Sequence, residues 1–272
     1  MIPSITDLTP DALSRYIETH REPDYQLVDV RQPGEYTGAH IPGATLIPLP
    51  ELESRLPDLA EERDLIFYCH SGARSRAAAT LAVEGRATAG RIYNLVGGIS
   101  AWDGNILIDA PRLAVFEGTA TPSDTLRRAM DLEKGAMRFY DHLREAMGEG
   151  PVAETIGRLG QAERAHARTV YGFWKHKVEA PEDFDRLFEG LSGEILEGGT
   201  PLAEALDDLG EGQKSCVRYL EMALEIELTA FDLYRTMADR SDDPGEREAF
   251  FSLAQAEKAH MRTIIAAIPR CP

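Results

Sequence analysis

The chain has 272 residues, of which 43% are apolar, and this is enough for two ordinary domains with hydrophobic cores. Its formal net charge is −17 at pH 7. Residues 1–110 include 16 acidic and 9 basic residues, and the rest of the chain includes 30 acidic and 20 basic residues. Because both parts are acidic, nucleic acid and anionic membranes are poor partners. No apolar run is long enough for a membrane helix, and the first residues do not form a signal peptide, so we expect a cytoplasmic protein.

The first part of the chain alternates between strand-like and helix-like segments. The predicted strands are short and apolar: "YQLVDVR", "DLIFYC" and "RIYNL". The predicted helices are "TPDALSRYIETH" and "RSRAAATLAVEG", while "PGEYTGAHIPGA" is rich in turn residues. The alternation predicts an α/β domain over 1–110, with a parallel sheet flanked by helices.

From about residue 121 the strand-like segments give way to helical ones. Four helices of about 25 residues are predicted, roughly at 121–150, at 151–178, at 213–240 and from "SDDPGE" to near Ile268. A looser connection rich in Gly and Pro, 179–212, separates the second helix from the third. We therefore predict a linker over 111–122 and an all-α four-helix bundle with one long crossover over 123–272.

Cys69 lies where a predicted strand ends and the turn "CHSGARS" leads into a helix. Backbone N–H groups of such a turn, the helix N-terminus and Arg74 all favour the thiolate, so Cys69 is a candidate nucleophile. Arg74 would also help to bind an anionic substrate. The rest of the turn completes the candidate binding site: His70, Ser71, Gly72, Ala73 and Ser75.

Three motifs in the first part resemble those of a single-domain rhodanese, a sulfurtransferase: "LVDVRQPGEYTGAHIPGA", "CHSGARS" and "LVGGISAW". The resemblance implies that Cys69 takes a sulfane sulfur from a donor such as thiosulfate, as a persulfide, and passes it to a thiol acceptor. Asp29 and Arg31 match a family stretch and are interpreted as supports of the turn. An alternative is a phosphatase or arsenate reductase, but those loops read Cys-x5-Arg, whereas this chain has one residue fewer between Cys69 and Arg74. No organic cofactor is predicted.

The other two cysteines, Cys216 and Cys271, form no C-x-x-C pair with one another or with Cys69. An odd and sparse set of cysteines argues against a disulfide framework and a zinc ribbon. We expect Cys216 to be a packing residue on its helix and Cys271 to be a solvent-exposed thiol near the chain end.

The second part repeats itself at an offset of 94 residues. "LGQAERAHARTV" (159–170) pairs with "LAQAEKAHMRTI" (253–264), and Tyr140 pairs with Tyr234. Residues three apart on a helix can point at one object, so each Glu-x-x-His can act as a pair. With one further glutamate from each half, the predicted metal ligands are Glu133, Glu163, His166, Glu227, Glu257 and His260. Four buried acids require compensation, which two metal cations would supply.

This ligand pattern resembles that of the rubrerythrin branch of the ferritin-like di-iron proteins. The resemblance implies two iron ions, with manganese or zinc possible, that bind and reduce peroxide or dioxygen. Because the paired cysteines of a rubredoxin tail are absent, electrons would come from another protein. Tyr140 and Tyr234 either hydrogen-bond a ligand or donate an electron, or they only pack in the bundle. A homodimer is expected.

Two alternatives for the second part stay open at this point. The bundle could bind iron for storage or sensing without turnover, or it could serve for dimerisation. Two further acids on the same helices, Asp131 and Glu225, point away from the predicted cluster by helical geometry. We interpret both as solvated or interhelical charges.

Overall fold

The computed structural model describes residues 4–211 and 215–271. The chain divides into two compact units, 1–110 and 111–272. Among the helices of the described residues, none combines the length and the apolar character that crossing a bilayer requires.

The first unit is built on a parallel sheet with the strand order β1-β5-β4-β2-β3. Its strands are β1 (Ile5–Leu8), β2 (Tyr25–Asp29), β3 (Ala44–Leu46), β4 (Asp64–Tyr68) and β5 (Ile92–Leu95). Its helices are α1 (Pro10–Thr19), α2 (Pro33–Gly38), α3 (Leu49–Leu52) and α4 (Ala73–Glu84). The predicted α/β class with a parallel sheet is confirmed. The sequence missed β1 and β3, which are short edge strands, and α2, which lies within the predicted turn segment.

Successive residues of the central strands enter two different apolar clusters, one on each sheet face. Phe67 packs in one cluster with Ala78 and Ala79 of α4, whereas Ile66 and Tyr68 pack in the other. Both faces are therefore covered, which explains why these strands are continuous apolar runs. Cys69 extends the alternation onto the α4 face, so its side chain is directed to the side on which α4 begins.

The second unit is helical, as predicted. Its helices are α5 (Pro122–Met147), α6 (Pro151–Trp174), α7 (Phe184–Glu189), α8 (Leu202–Glu211), α9 (Cys216–Arg240) and α10 (Pro244–Ala267). The four long helices form two hairpins, α5 with α6 and α9 with α10, and α10 also packs on α5 and α6. The short helices α7 and α8 lie in the segment predicted to be loose.

Part of the predicted linker, 111–122, belongs to the helical unit instead. A short 3-10 turn, Leu113–Phe116, precedes α5, and the Phe116 ring is buried against Phe250 with ring centroids 5.6 Å apart. The apolar side chain at 116 is the physical reason, because burying an aromatic ring stabilises the packed arrangement. Thr121 then caps α5 by accepting a hydrogen bond from the Asp124 N–H.

The prediction of two unpaired cysteines in the helical unit is wrong. Cys216 and Cys271 form a disulfide, with their Cα atoms 5.5 Å apart. The reason is tertiary: an antiparallel hairpin places the start of α9 next to the turn that follows α10, and these positions are 55 residues apart in sequence. Only Cys69 is a free thiol.

Replacing Cys271 with serine should therefore destabilise the helical unit. Closing a loop of this length restricts the unfolded chain, so the free energy of unfolding is expected to fall by up to about 4 kcal/mol. Guanidinium unfolding followed by circular dichroism measures the change. Wild type treated with a reductant should match the variant, and an oxidised wild type no more stable than the variant would contradict the expectation.

Candidate functional site

The Cys69 thiol lies at the carboxyl end of β4, in the centre of the sheet, and the residue is 1% exposed. The Gly72 N–H donates to Cys69 Sγ at 3.1 Å, and the Ser75 hydroxyl lies 3.5 Å from the same sulfur. Burial raises the pKa of the thiol, but hydrogen bonds from the Ser75 side chain and from the N–H groups of Ser75, Gly72 and Ser71 outweigh it. The pKa of the Cys69 thiol is therefore below its ordinary value, which favours the thiolate.

The rest of the predicted turn forms the rim around this sulfur. Gly72 has φ +99°, a conformation that favours glycine, and it begins α4. Ser71 and Ala73 are exposed, and so is His70, whose Nε2 lies 3.1 Å from the Ser100 hydroxyl. The turn therefore directs backbone N–H groups at the thiol and leaves three of its side chains at the surface.

The segment "GGIS" holds the cysteine turn from the other side. The Ile99 N–H donates to the Cys69 carbonyl at 2.8 Å, and the Ser100 N–H donates to the His70 carbonyl at 3.0 Å. A Cβ at Gly98 would clash with the Cys69 carbonyl oxygen, so the close approach requires glycine there. This contact explains why the third motif accompanies the cysteine turn.

Arg74 interacts electrostatically with Cys69, and it is also paired with a carboxylate that the sequence analysis did not select. Its guanidinium forms a two-pronged pair with Glu35 of α2, at 2.8 Å and 2.7 Å, rather than a contact with the thiol. The hydrogen bond from Arg74 lowers the pKa of Glu35 to about 2. The predicted positive charge at Cys69 is thus paired with a carboxylate. Glu35 was missed because nothing in the sequence shows that α2 faces the start of α4.

Asp29 and Arg31, the predicted supports, form an ion pair with each other at the carboxyl end of β2. Arg31 Nη2 lies 2.6 Å from Asp29 Oδ2 and also donates to the Ala39 carbonyl at 2.6 Å. Both side chains are buried. The pair ties the end of β2 to the end of α2, which carries Glu35.

Asn94 of β5 is a further residue that the sequence analysis missed. The Ser75 hydroxyl lies 2.7 Å from Asn94 Oδ1, and Asn94 Nδ2 donates to Asp7 Oδ1 at 2.9 Å. This chain of contacts fixes the position of Ser75 beside the sulfur. An asparagine inside the apolar strand "RIYNL" was the available signal, because a buried amide needs partners.

The six predicted metal ligands converge in the interior of the helical unit. Glu163 lies between the two imidazoles. Its Oε2 is 2.8 Å from His166 Nδ1, and its Oε1 is 3.1 Å from His260 Nδ1. His166 Nδ1 is 3.3 Å from Glu133, and His260 Nδ1 is 3.3 Å from both Glu227 and Glu257. All four glutamates are fully buried. The repeat therefore brings matching side chains from both hairpins to one place.

The two predicted tyrosines bind glutamates of the opposite hairpin. The Tyr140 hydroxyl donates to Glu227 Oε1, and the Tyr234 hydroxyl donates to Glu133 Oε1 at 2.5 Å. Both hydroxyls are buried, and burial with the nearby carboxylates raises the pKa of each well above its usual value. Each tyrosine therefore stays protonated and orients one glutamate.

The buried polar atoms of this cluster fit a cation site. Within the described residues, every buried side-chain N or O atom that lacks a hydrogen-bond partner belongs to Glu133, Glu163, Glu197, Glu227, Glu257 or His260. His260 Nδ1 lies near three carboxylates without good hydrogen-bond geometry. Unsatisfied carboxylate oxygens and imidazole nitrogens grouped this closely match the ligands of iron, manganese or zinc.

The imidazoles compensate only part of the buried negative charge. Burial lowers the pKa of His166, but hydrogen bonds with Glu133 and Glu163 outweigh it and raise the value to about 11. Burial raises the pKa of Glu257, and the neighbouring Glu227 adds to the effect. The protein alone thus holds more carboxylates here than it holds positive charges, which favours a bound cation.

Glu197 also belongs to this cluster, although it was not selected by the sequence analysis. Ligand oxygens of Glu133, Glu163, Glu197 and Glu257 all lie within 4.8 Å of one another. Burial raises the pKa of Glu197 well above its usual value, and the other glutamates raise it further. Glu197 is not part of the 94-residue repeat, because it lies in the connection between α7 and α8. Comparing positions 94 residues apart therefore could not identify it.

The two acids that were set aside differ in their surroundings. Asp131 is buried and accepts the Gly193 N–H at 2.9 Å, so it ties the crossover segment to α5 rather than facing solvent. Glu225 is exposed.

Comparisons with known proteins identify the first unit. The profile of the family described as "Rhodanese-like domain" matches residues 9–105. The chain is 42% identical over 80 residues to a sulfurtransferase of Allochromatium vinosum, which is 29% of this chain and 72% of that protein. It therefore belongs to the rhodanese-like family, whose relatives include sulfurtransferases.

Two further similar proteins extend the comparison. Over 82 residues the chain is 44% identical to the uncharacterised protein YqhL of Bacillus subtilis, covering 30% of this chain and 63% of that protein. The chain is 26% identical to a rhodanese-like domain protein from Staphylococcus aureus whose crystal structure is known. That alignment includes 39% of this chain and 99% of the Staphylococcus chain, with a TM-score of 0.34. The chain thus spans somewhat under two thirds of the Bacillus protein.

Proposed function

We propose that the first unit transfers sulfane sulfur through a persulfide on Cys69. The observation that carries the proposal is a buried thiol with a lowered pKa that faces the N–H groups of Ser71, Gly72 and Ser75. The Cys69 thiolate attacks the outer sulfur of thiosulfate, an S–S bond to Cys69 forms, and sulfite leaves with the electron pair of the broken bond. A thiophilic acceptor such as a thiolate or cyanide then takes the outer sulfur and returns the thiolate. The same N–H groups stabilise both sulfur anions.

The choice of substrate is tested by two assays on one preparation. Thiosulfate with cyanide should give thiocyanate with multiple turnovers, whereas an aryl phosphate should not be hydrolysed. The short turn supports this expectation, because it has one residue fewer than a Cys-x5-Arg phosphatase loop and its N–H groups surround a single sulfur. Phosphate release without thiocyanate formation would replace the proposal with a phosphatase or arsenate reductase.

For the helical unit we propose a ferritin-like di-iron site of the rubrerythrin type. Support comes from the convergence of Glu133, Glu163, His166, Glu227, Glu257 and His260 and from their unpartnered oxygens. When bound, a ferrous pair supplies electrons for the reduction of peroxide or dioxygen. Glu163 lies between both imidazoles, while Tyr140 and Tyr234 hold one glutamate each. The electron donor would be another protein, and the chain would form a homodimer in the cytoplasm.

This second proposal is tested by metal content and turnover. Protein loaded anaerobically with Fe²⁺ should hold two ions per chain, and with a chemical reductant present it should consume many equivalents of hydrogen peroxide. A single oxidation per pair of ions would instead indicate storage or sensing. Failure to retain iron, manganese or zinc would overturn the metal site itself.

The Arg74–Glu35 pair gives a separate prediction for the sulfur donor. Arg74→Ala should raise the KM for thiosulfate by roughly tenfold with less effect on kcat, because a positive charge that interacts electrostatically with Cys69 is lost near the anion site. Glu35→Gln should lower the KM, since it frees the guanidinium. Arg55→Ala serves as control, as Arg55 pairs with Asp58 at the surface. An unchanged KM in Arg74→Ala would show that Arg74 only ties α4 to α2.

A further inference from the structure

The segment that carries Glu197 is a tight turn in the connection between α7 and α8. The Gly199 N–H donates to the Leu196 carbonyl, and the Leu196 N–H donates to the Thr200 carbonyl, both at 2.8 Å. The Leu202 N–H closes the turn on the Glu194 carbonyl at 2.8 Å. Glu197 lies at the tip, so the backbone polar groups of the turn are paired without using its carboxylate.

This turn is inserted between α5 and α9 at the height of the ligand glutamates. A Cβ at Gly135 of α5 would clash with the Ile195 carbonyl, and a Cβ at Gly198 would clash with the Thr229 side chain of α9. Gly135 and Thr229 each follow a predicted ligand by two residues, and they are themselves 94 positions apart. The two glycines therefore allow the backbone of the turn to approach both helices beside the cluster.

The Glu197 carboxylate enters the cluster and finds no hydrogen-bond donor there. The residue is 0% exposed, and among residues 4–211 and 215–271 neither of its oxygens has a hydrogen-bond partner. Its ligand oxygen lies within 4.8 Å of those of Glu133, Glu163 and Glu257. A carboxylate held in such surroundings is costly without a cation, so the arrangement of the turn indicates a ligand.

We propose that Glu197 is a seventh protein ligand of the dimetal site, supplied by the crossover turn rather than by the four long helices. The inference rests on the proposed metal binding of the helical unit. Each of the other six ligands has an equivalent residue 94 positions away in the opposite hairpin, whereas Glu197 has no such equivalent. It therefore makes the two cation positions unequal, with extra negative charge on the side of Glu133, Glu163 and Glu257. Metal binding also fixes the turn 194–202 against α5 and α9.

The test compares Glu197→Gln and Glu197→Ala with the control Glu194→Gln. Glu194 is exposed on the same turn, so its change removes the same charge without touching the cluster. Fe²⁺ is titrated anaerobically, and thermal unfolding is followed with and without the metal. The metal-free Glu197 variants should melt higher than wild type, because an unpaired buried carboxylate is gone. Their affinity for the weaker of the two Fe²⁺ ions should fall about tenfold or more, and the rise in Tm on adding Fe²⁺ should shrink.

Amide hydrogen exchange reports on the local order of the turn 194–202 separately from the free energy of global unfolding. Fe²⁺ should slow the exchange of amides in 194–202 in wild type and in Glu194→Gln, but much less in both Glu197 variants. If wild type binds two Fe²⁺ ions and the Glu197 variants keep the same affinity and protection, Glu197 is not a ligand. If they melt lower with and without Fe²⁺ by the same amount, Glu197 is only structural. If wild type itself binds no Fe²⁺, the proposed metal site fails instead.

Discussion

Replacing Cys69 with serine is expected to lower the rate of thiosulfate-dependent thiocyanate formation by at least about a thousandfold. Serine keeps the size of the side chain and its place in the ring of N–H groups. Its hydroxyl is not ionised near neutral pH, and it cannot hold a sulfane sulfur in an S–S bond. The fold should persist, since Cys69 is buried beside small alanine side chains of α4.

The measurement for this variant joins kinetics with mass spectrometry. Wild type incubated with thiosulfate should gain one sulfur atom on the peptide that contains Cys69, and the variant should gain none. Ser54→Ala is the control, because it changes an exposed side chain of the same unit and should transfer sulfur at the wild-type rate. Thiocyanate formation that survives in Cys69→Ser would exclude the proposed nucleophile.

The pH dependence of the same reaction follows from the lowered pKa of Cys69. Hydrogen bonds to the sulfur favour the thiolate, so persulfide formation should continue at pH values below the ordinary range of a thiol. Asn94→Ala should loosen Ser75, raise the thiol pKa and move the acidic limb of the rate profile to higher pH. An identical acidic limb in wild type and variant would show that Ser75 does not act on the sulfur.

Replacing Glu163 with glutamine is expected to lower the affinity for Fe²⁺ by more than about a hundredfold. This is a larger loss than is usual when a residue that only hydrogen-bonds a metal ligand is replaced. Glu163 has the largest expected effect because its two oxygens lie next to different imidazoles, His166 and His260. The metal-free variant should also unfold more easily than wild type: burial raises the pKa of Glu163, but His260 and His166 outweigh it and lower the value, so glutamine removes the partner of two buried imidazoles. Metal binding is therefore compared at a temperature at which circular dichroism shows both proteins to be folded.

Metal content after anaerobic loading and desalting measures this loss. Glu154→Gln is the control, because Glu154 is an exposed acid in the first turn of the same helix, α6. The control should retain as much iron as wild type. Two tightly held ions in Glu163→Gln would remove Glu163 from the site and would weaken the proposal for the other five ligands.

The helices of the second unit were predictable because each has a local cause. The Thr121 cap starts α5 and the Ser215 cap starts α9, and each long helix has enough apolar positions to form a buried face. The convergence of the cluster was predictable for a different reason. A repeat at a constant offset places the same residue types at equivalent positions on two equivalent hairpins, so the side chains at those positions meet.

The contacts that the sequence analysis missed share one physical origin. Arg74 binds Glu35, Cys216 binds Cys271, and Glu197 enters the cluster from a connection, each because elements distant in sequence pack side by side. None of these pairs is marked by a periodic pattern or by a repeat. The short strands β1 and β3 were missed likewise, since an edge strand of three or four residues is stabilised by its neighbour in the sheet rather than by its own composition.

Three features could be predicted from the order of the residues alone: the α/β and helical parts, the reactive-thiol candidate Cys69, and the six side chains that the duplication places together. These follow from local rules of helix and strand formation and from the constant offset of the repeat. The folded chain was needed to show which charges are paired, which thiols are joined, and that the Glu197 carboxylate points into the cluster. Those outcomes depend on distances between segments, and chain packing sets such distances without leaving a mark in the order of the residues.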